Sequence, residues 1–195
     1  MARWMLFVDG ENFTLRAQDY AIGSDFEPQS GTYFMKDVFV WLPDRGLHDY
    51  QNYLPWSLGP GGSLRAYYYT SLVGDDDKLQ GVRLQLRHLG FDPQVFKKTS
   101  RQTKSKGVDI TLTIDMLSHA FLDNYEAAVL IAGDADYVPL VDEIKRRGKN
   151  IYIAFFEGAG SGLSADLRLR ADGFHALNDE FAATWRRWLE RGGSR

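Results

Sequence analysis

There is no cysteine among the 195 residues of this chain. Disulfides, thiolate nucleophiles and every Cys-ligated zinc or iron-sulfur site are thereby excluded, and a chain without bridges suits a reducing compartment, so a cytoplasmic location is expected. Long apolar runs are missing as well. The opening MARWMLFVDGENF places only WMLFV ahead of its first acid, too short for a signal h-region, and no stretch reaches the ~20 apolar residues that cross a bilayer, so no membrane association is expected. Histidine is scarce: His48, His88, His119 and His175 include no i, i+4 pair, which argues against a His-based zinc site. A nucleophile elbow, a P-loop lysine motif and a GxGxxG loop are also absent. Nor does one sign of charge dominate. With 23 basic and 26 acidic residues the net charge is -3, so any nucleic-acid contact has to come from a local patch.

What is present is a composition that is 44% hydrophobic and 14% aromatic, enough for one domain with a substantial core but not for two. Short apolar runs alternate with amphipathic stretches. RWMLFV (3 to 8) is too brief for a helix and reads as a buried strand; a helix follows over about 11 to 20. AYYYTSL is a second strand. DDDKLQGVRLQLRHLG reads as a helix, with acids at its start, Leu79, Val82, Leu86 and Leu89 at helical spacing and Gly90 closing it. FDPQVFKK is a third strand, VDITLTIDMLSHAFLDN a helix, AAVLIAG a fourth strand, YVPLVDEIKRRGK a helix and NIYIAFF a fifth strand. This alternation predicts an α/β, doubly wound fold with a mostly parallel sheet of about five strands, covered on both faces.

The rhythm breaks between about residues 21 and 65. PQSG, LPDRG and LGPGGS turns there surround aromatic-rich pieces, and the segment reads as an insertion that could close over a site, form a surface for a protein partner or extend the core. Residues 1 to 180 are otherwise expected to form a single domain, with a C-terminal helix and tail over 178 to 195. Phe181, Trp185, Trp188 and Leu189 fall on one side of that helix, which could pack on its own domain or serve as a homodimer contact.

Four acids stand at informative places: Asp9 after WMLFV, Asp134 and Asp136 after AAVLIAG, and Asp109 opening DITLTIDMLSHAF. Each alone also reads as a turn residue or helix cap. Together they say more. In an open α/β sheet the ligand crevice lies at the carboxyl ends of strands where the connections diverge, and a strand order of 3-2-1-4-5 brings Asp9 and Asp134 face to face there. Asp109 would arrive from the helix before strand four. Carboxylates gathered in one volume raise one another's pKa unless a cation neutralises them, and an all-oxygen donor set suits Mg²⁺ or Mn²⁺. Directly before Asp109, KKTSRQTKSK carries Lys97, Lys98, Arg101, Lys104 and Lys106 without an acid. It reads either as a solvated loop or as a grip on a phosphate backbone.

The blocks FVDGENF (7 to 13), KGVDITLTIDM (106 to 116), LIAGDADYVPLVDEIKRRGKNIYI (130 to 153) and SGLSADLRLRADGFHAL (161 to 177) occur in order, and together they resemble the NYN domain family, in particular its LabA-like branch within the PIN-like nucleases. The resemblance implies a PIN-like three-layer α/β/α sandwich and metal-dependent hydrolysis of RNA phosphodiester bonds by clustered acids. It carries the first-strand acid onto Asp9, a nearby amide onto Asn12, the helix-start acid onto Asp109 and the pair after strand four onto Asp134 and Asp136. Asp115 matches a commonly acidic position. Six residues beyond Asp109 it lies about 240° further round a helix, which places it behind the ligands; Thr113, one turn after Asp109, could help from behind them to position a metal-bound water. The function so implied is that of a Mg²⁺- or Mn²⁺-dependent ribonuclease on single-stranded or structured RNA. A non-catalytic RNA- or nucleotide-binding module that keeps the acidic pocket, a DNA nuclease or a phosphohydrolase would share the same residues.

Overall fold

The computed structural model describes residues 3–23, 34–35, 38–39, 65–88, 90–100 and 106–179. In chain order these form β1 (Trp4–Asp9), α1 (Gly10–Gly23), β2 (Phe34–Met35), β3 (Val38–Phe39), β4 (Arg65–Leu72), α2 (Asp76–His88) and β5 (Asp92–Lys97). There follow α3 (Lys106–Phe121), β6 (Ala127–Ile131), a 3₁₀ turn (Ala135–Tyr137), α4 (Val138–Arg146), β7 (Asn150–Phe155), α5 (Ala165–Arg170) and β8 (Gly173–Ala176).

Six strands make one sheet in the order β5-β4-β1-β6-β7-β8, every pair parallel. Counted within the sheet this is 3-2-1-4-5-6, the expected fold and order with one strand more. The extra strand is β8, at the edge beyond β7. Its four residues, GFHA, are all half-buried, so they carry neither an apolar run nor an alternation from which a strand could be read. β1 is buried along its whole length and β6 nearly so, the pattern of central parallel strands covered on both faces. The edge strand β5 instead alternates.

Right-handed crossovers put α1 and α2 on one face of the sheet and α3, α4 and α5 on the other. Leu79, Val82 and Leu86 of α2 are buried as their spacing predicts. In α3 the buried row is Val108, Leu112, Met116 and Ala120, recurring every four residues. Because β1 leads through α1 to β4 while β6 leads through α4 to β7, the chain leaves the two central strands in opposite directions, over opposite faces. That is the switch point, and it lies where Asp9 ends β1 and Gly133 follows β6.

Of the segment expected as an insertion from about 21 to 65, residues 21 to 23 belong to α1, Arg65 opens β4, and the two-residue strands β2 and β3 pair antiparallel. The remainder, with Trp41, Tyr50, Tyr53 and Trp56, lies outside the described residues, as do Leu89 and the residues from 180 onward. Among the described residues no helix is long and apolar enough to cross a membrane.

Candidate active site

Asp9 ends β1 and caps α1: its Oδ1 accepts a hydrogen bond from the Asn12 backbone N–H at 3.0 Å. The side chain is thereby fixed at the carboxyl end of the central strand, and the residue is only 2% exposed. Asn12 in turn reaches across the switch point. Its Oδ1 accepts from the Gly133 backbone N–H at 3.0 Å, joining the first turn of α1 to the end of β6. Gly133 has no space for a side chain, since a Cβ there would stand 2.4 Å from the Phe155 ring and 2.9 Å from the Gly162 carbonyl oxygen. This close approach sets where Asp134, the next residue, leaves the sheet.

The 3₁₀ turn then carries the chain into α4 and drives the Tyr137 ring inward. Its hydroxyl lies 2.8 Å from Asp9 Oδ2 and 3.3 Å from Asp109 Oδ1, so that β1, α3 and the start of α4 meet at one oxygen. A phenol has one proton to donate, and the shorter contact is to Asp9. Burial pushes the Asp9 carboxyl up to about 7; the Asn12 N–H and the Tyr137 hydroxyl oppose that rise, while the negative charges of Asp109 and Asp134 add to it. Burial, and then the charges of Asp9 and Asp109, hold the Tyr137 phenol far above its ordinary range. It stays protonated and donating.

Asp134 is half-buried and Asp136, one residue into the turn, is exposed. Asp115 belongs to a neighbouring arrangement: its Oδ2 accepts from the Tyr69 hydroxyl at 3.0 Å, and Tyr69 is the register partner of Asp9 on β4. One turn further along α3, His119 Nε2 lies 2.9 Å from the Tyr67 hydroxyl and its Nδ1 lies 2.9 Å from Asn124 Nδ2, a helix-face histidine held by two side chains. Thr113 is half-buried on α3 between Asp109 and these contacts.

The two described lysines of the basic loop are both held by acids. Lys98 Nζ donates to Glu11 Oε1 at 2.8 Å, with side-chain exposures of 13% and 20%, and Ser71 Oγ donates to the other Glu11 oxygen at 2.7 Å. Lys97 Nζ reaches the exposed Asp76 at 3.0 Å. Arg101 and Lys104 lie outside the described residues, and of Lys106 only the backbone, opening α3, is described.

Carboxylate oxygens are the right donors for a hard divalent cation, and the charges of Asp109 and Asp134 bear on Asp9 as those of a shared site would. As the side chains stand, however, no group of three acids or histidines among the described residues is placed to hold a metal ion. The Tyr137 hydroxyl contacts one oxygen of Asp9 and one of Asp109. The residues that sequence reasoning passed over are Tyr137, Glu11 and Gly133. All three lie inside the blocks quoted above, but their partners are remote in sequence.

Residues 3–178 match the sequence model of the NYN domain. An uncharacterized protein of Methanocaldococcus jannaschii is 27% identical over 113 residues, covering 58% of this chain and 41% of that protein, so the chain spans about two fifths of the length of the curated relative it matches. The crystal structure of a Vibrio parahaemolyticus protein of unknown function superposes with a TM-score of 0.58 at 19% identity, covering 92% of this chain and 95% of that one. That likeness concerns the fold.

Proposed function

The chain belongs to the NYN domain family of PIN-like nucleases, and from that premise we propose that it is a divalent-metal-dependent ribonuclease whose centre is built from Asp9, Asp109 and Asp134. The observation that carries the reading is the meeting of Asp9 and Asp109 on the Tyr137 hydroxyl at the switch point, with the charge of Asp134 acting on Asp9. Three elements remote in sequence converge there on acids whose mutual repulsion costs stability, an arrangement typical of a functional site. The GDADYVP and KGVD blocks support a place in the LabA-like branch.

Asp9, Asp109 and Asp134 would hold Mg²⁺ or Mn²⁺, with Asp136 as a further oxygen donor at the open side. Bound there, the ion supplies a water of lowered pKa and positive charge against the phosphate oxygens. The protein's own residues do the rest. Asn12, pinned by the Gly133 N–H, leaves its amide nitrogen to orient a water or a phosphate oxygen. Tyr137 sets the directions of the Asp9 and Asp109 carboxylates and excludes bulk water from their inner side. Asp115, held by Tyr69, and Thr113 back α3 where it presents Asp109. RNA, single-stranded or structured, is the proposed substrate, cut to a 5′-phosphate and a 3′-hydroxyl.

One observation favours a second reading, a binding module without turnover: the acids are linked through a phenol, and no three described acids stand at metal-holding distances. Incubating purified protein with labelled single-stranded RNA, hairpin RNA and matched DNA in Mn²⁺, Mg²⁺ or EDTA decides between them. Metal-dependent loss of the RNAs alone supports the ribonuclease. RNA that is bound and left intact under every metal supports the module, and equal loss of DNA makes the enzyme a nuclease without sugar preference.

A further inference from the structure

We propose that Arg16 and the glycine-rich loop after β7, residues 157 to 163, form a subsite for a backbone phosphate of the RNA strand, flanking the Asp9, Asp109 and Asp134 centre; this rests on the ribonuclease reading above. A cavity of about 420 Å³ opens between α1 and the loop after β7, lined by Arg16, Asp19, Tyr20, Phe156, Glu157 and Gly160, among others. Its connection to the acids runs through named contacts. Asp9 bonds to Asn12, Asn12 bonds to Gly133, and the Gly162 carbonyl oxygen lies where it would meet a Cβ on Gly133. Gly162 also abuts the Arg16 guanidinium: a Cβ on that glycine would fall 2.3 Å from Arg16 Nε. Arg16 follows Asn12 by one helical turn, so the same side of α1 supplies first the amide at the acids and then the guanidinium at the cavity.

The loop itself is shaped for an anion. Gly158, Gly160 and Gly162 have φ of 108°, 79° and 75°, alternating with Ala159 and Ser161, whose φ is not positive. The N–H groups of Glu157, Ser161 and Leu163 are bonded to Asn178 Oδ1, the Gly158 carbonyl and Ser161 Oγ, which leaves those of Gly158, Ala159, Gly160 and Gly162 available to an anion. A Cβ on Gly158 or Gly160 would meet nothing within 4 Å, so the loop faces open space and not packed protein. Below the cavity, Tyr20 stacks on Phe156 with ring centroids 5.2 Å apart and gives it an aromatic floor.

The acids that line the cavity do not close it. Glu157 is engaged by Arg168 at 3.1 Å. Asp19 holds Arg16 at 3.3 Å with side-chain exposures of 62% and 35%, an open pair that a phosphate can displace, unlike the enclosed Lys98–Glu11 pair. A guanidinium presents two parallel N–H donors to a phosphate and is the residue suited to that exchange. The two sides of the crevice therefore differ. On the β4 and β5 side Lys98 is committed to Glu11 in an enclosed pair; on the β6 and β7 side Arg16 is poised for the strand.

The test is binding of a short fluorescein-labelled single-stranded RNA in EDTA, followed by anisotropy as KCl is raised, with cleavage in Mn²⁺ measured separately. Loss of one phosphate contact on a single strand lowers the slope of log K against log salt by about 0.7. Arg16→Ala is expected to lower it by that amount and to weaken binding several-fold, with Arg16→Lys retaining the slope. Gly162→Ala, which crowds the guanidinium, is expected to act like Arg16→Ala, and thermal melts establish that each variant is folded. A wild-type protein that cleaves RNA, with an unchanged slope in folded Arg16→Ala and Gly162→Ala, overturns the subsite and leaves the nuclease standing. A wild-type protein that neither binds nor cleaves RNA overturns both.

Discussion

The phenolic oxygen of Tyr137 lies 2.8 Å from Asp9 Oδ2, across 128 residues of sequence, and ties the start of α4 to the end of the central strand. This bond puts a neutral donor where a cation would otherwise offset the carboxylate. Tyr137→Phe deletes the donor and leaves the ring. At about pH 8, without metal, the variant should lose roughly 1.5–3 kcal/mol, the range for a hydrogen bond to a charged group. The gain in melting temperature on adding Mn²⁺ should be larger in the variant than in the wild type, because the phenol no longer competes for Asp9 and Asp109. Equal gains in thermal melts would show that the phenol and the ion do not share these oxygens.

Asp9 gives the molecule a pH dependence of defined sign. Its carboxyl titrates near 7 in the folded chain against 3.8 ordinarily, so between those values the folded state binds more protons than the unfolded one. Stability from this group is complete below about pH 4 and lost as the pH rises through about 7. Asp9→Asn keeps an oxygen for the Asn12 N–H and carries no charge. Relative to the wild type it should be more stable by on the order of 2–4 kcal/mol at about pH 8, and the gap should close near pH 4. Urea melts of both proteins across that range measure it; a gap independent of pH would contradict the assignment.

Asn12 has two separable tasks. Asn12→Ala leaves the buried Gly133 N–H without its acceptor, which should destabilise the fold by about 1–3 kcal/mol. Loosening the first turn of α1 against β6 should also lower RNA cleavage by about 10²-fold, the effect of misplacing a reacting group by about an ångström. Asn12→Asp offers the same acceptor oxygen but adds a carboxyl beside Asp9, so it should recover stability at about pH 4 and less of it at about pH 8. Chemical denaturation and single-turnover cleavage on the same preparations separate the two.

Lys98 and Glu11 should behave as structure. Removing Lys98 leaves a half-buried carboxylate with Ser71 as its remaining partner, and Lys98→Ala should cost about 1–3 kcal/mol. Lys97→Ala, at an exposed pair with Asp76, should change stability by less than about 1 kcal/mol. The double variant Lys98→Met with Glu11→Leu should regain much of the loss. A Lys98→Ala protein of unchanged stability that binds RNA weakly would instead make Lys98 a contact for the strand.

The sequence shows the sheet where burial is complete and hides it where burial is partial. WMLFV and AAVLI are apolar because β1 and β6 are covered on both faces, and the switch-point residues Asp9 and Gly133 follow these runs, the first directly and the second two residues on. β8, half-buried throughout, has no such signature. Helical geometry separates Asp109 from Asp115, and the structure gives them different tyrosines, Tyr137 and Tyr69. Pairings over long separations are not legible in the same way. Lys98 reads as one more cation of a basic loop because its partner, Glu11, lies 87 residues away, and Tyr137 reads as an ordinary aromatic beside two acids for the same reason. A local pattern reports burial and period; it carries no information on which remote side chain completes a hydrogen bond.

The most direct test is the single-turnover rate of single-stranded RNA cleavage in Mn²⁺ by the wild type, Asp109→Asn and Asp115→Asn. The account predicts cleavage by the wild type and a fall of more than about 100-fold in Asp109→Asn, with Asp115→Asn inside the 10–100-fold range of residues that support a metal ligand from behind. RNA left intact by the wild type, or Asp109→Asn cutting at the wild-type rate, would contradict it.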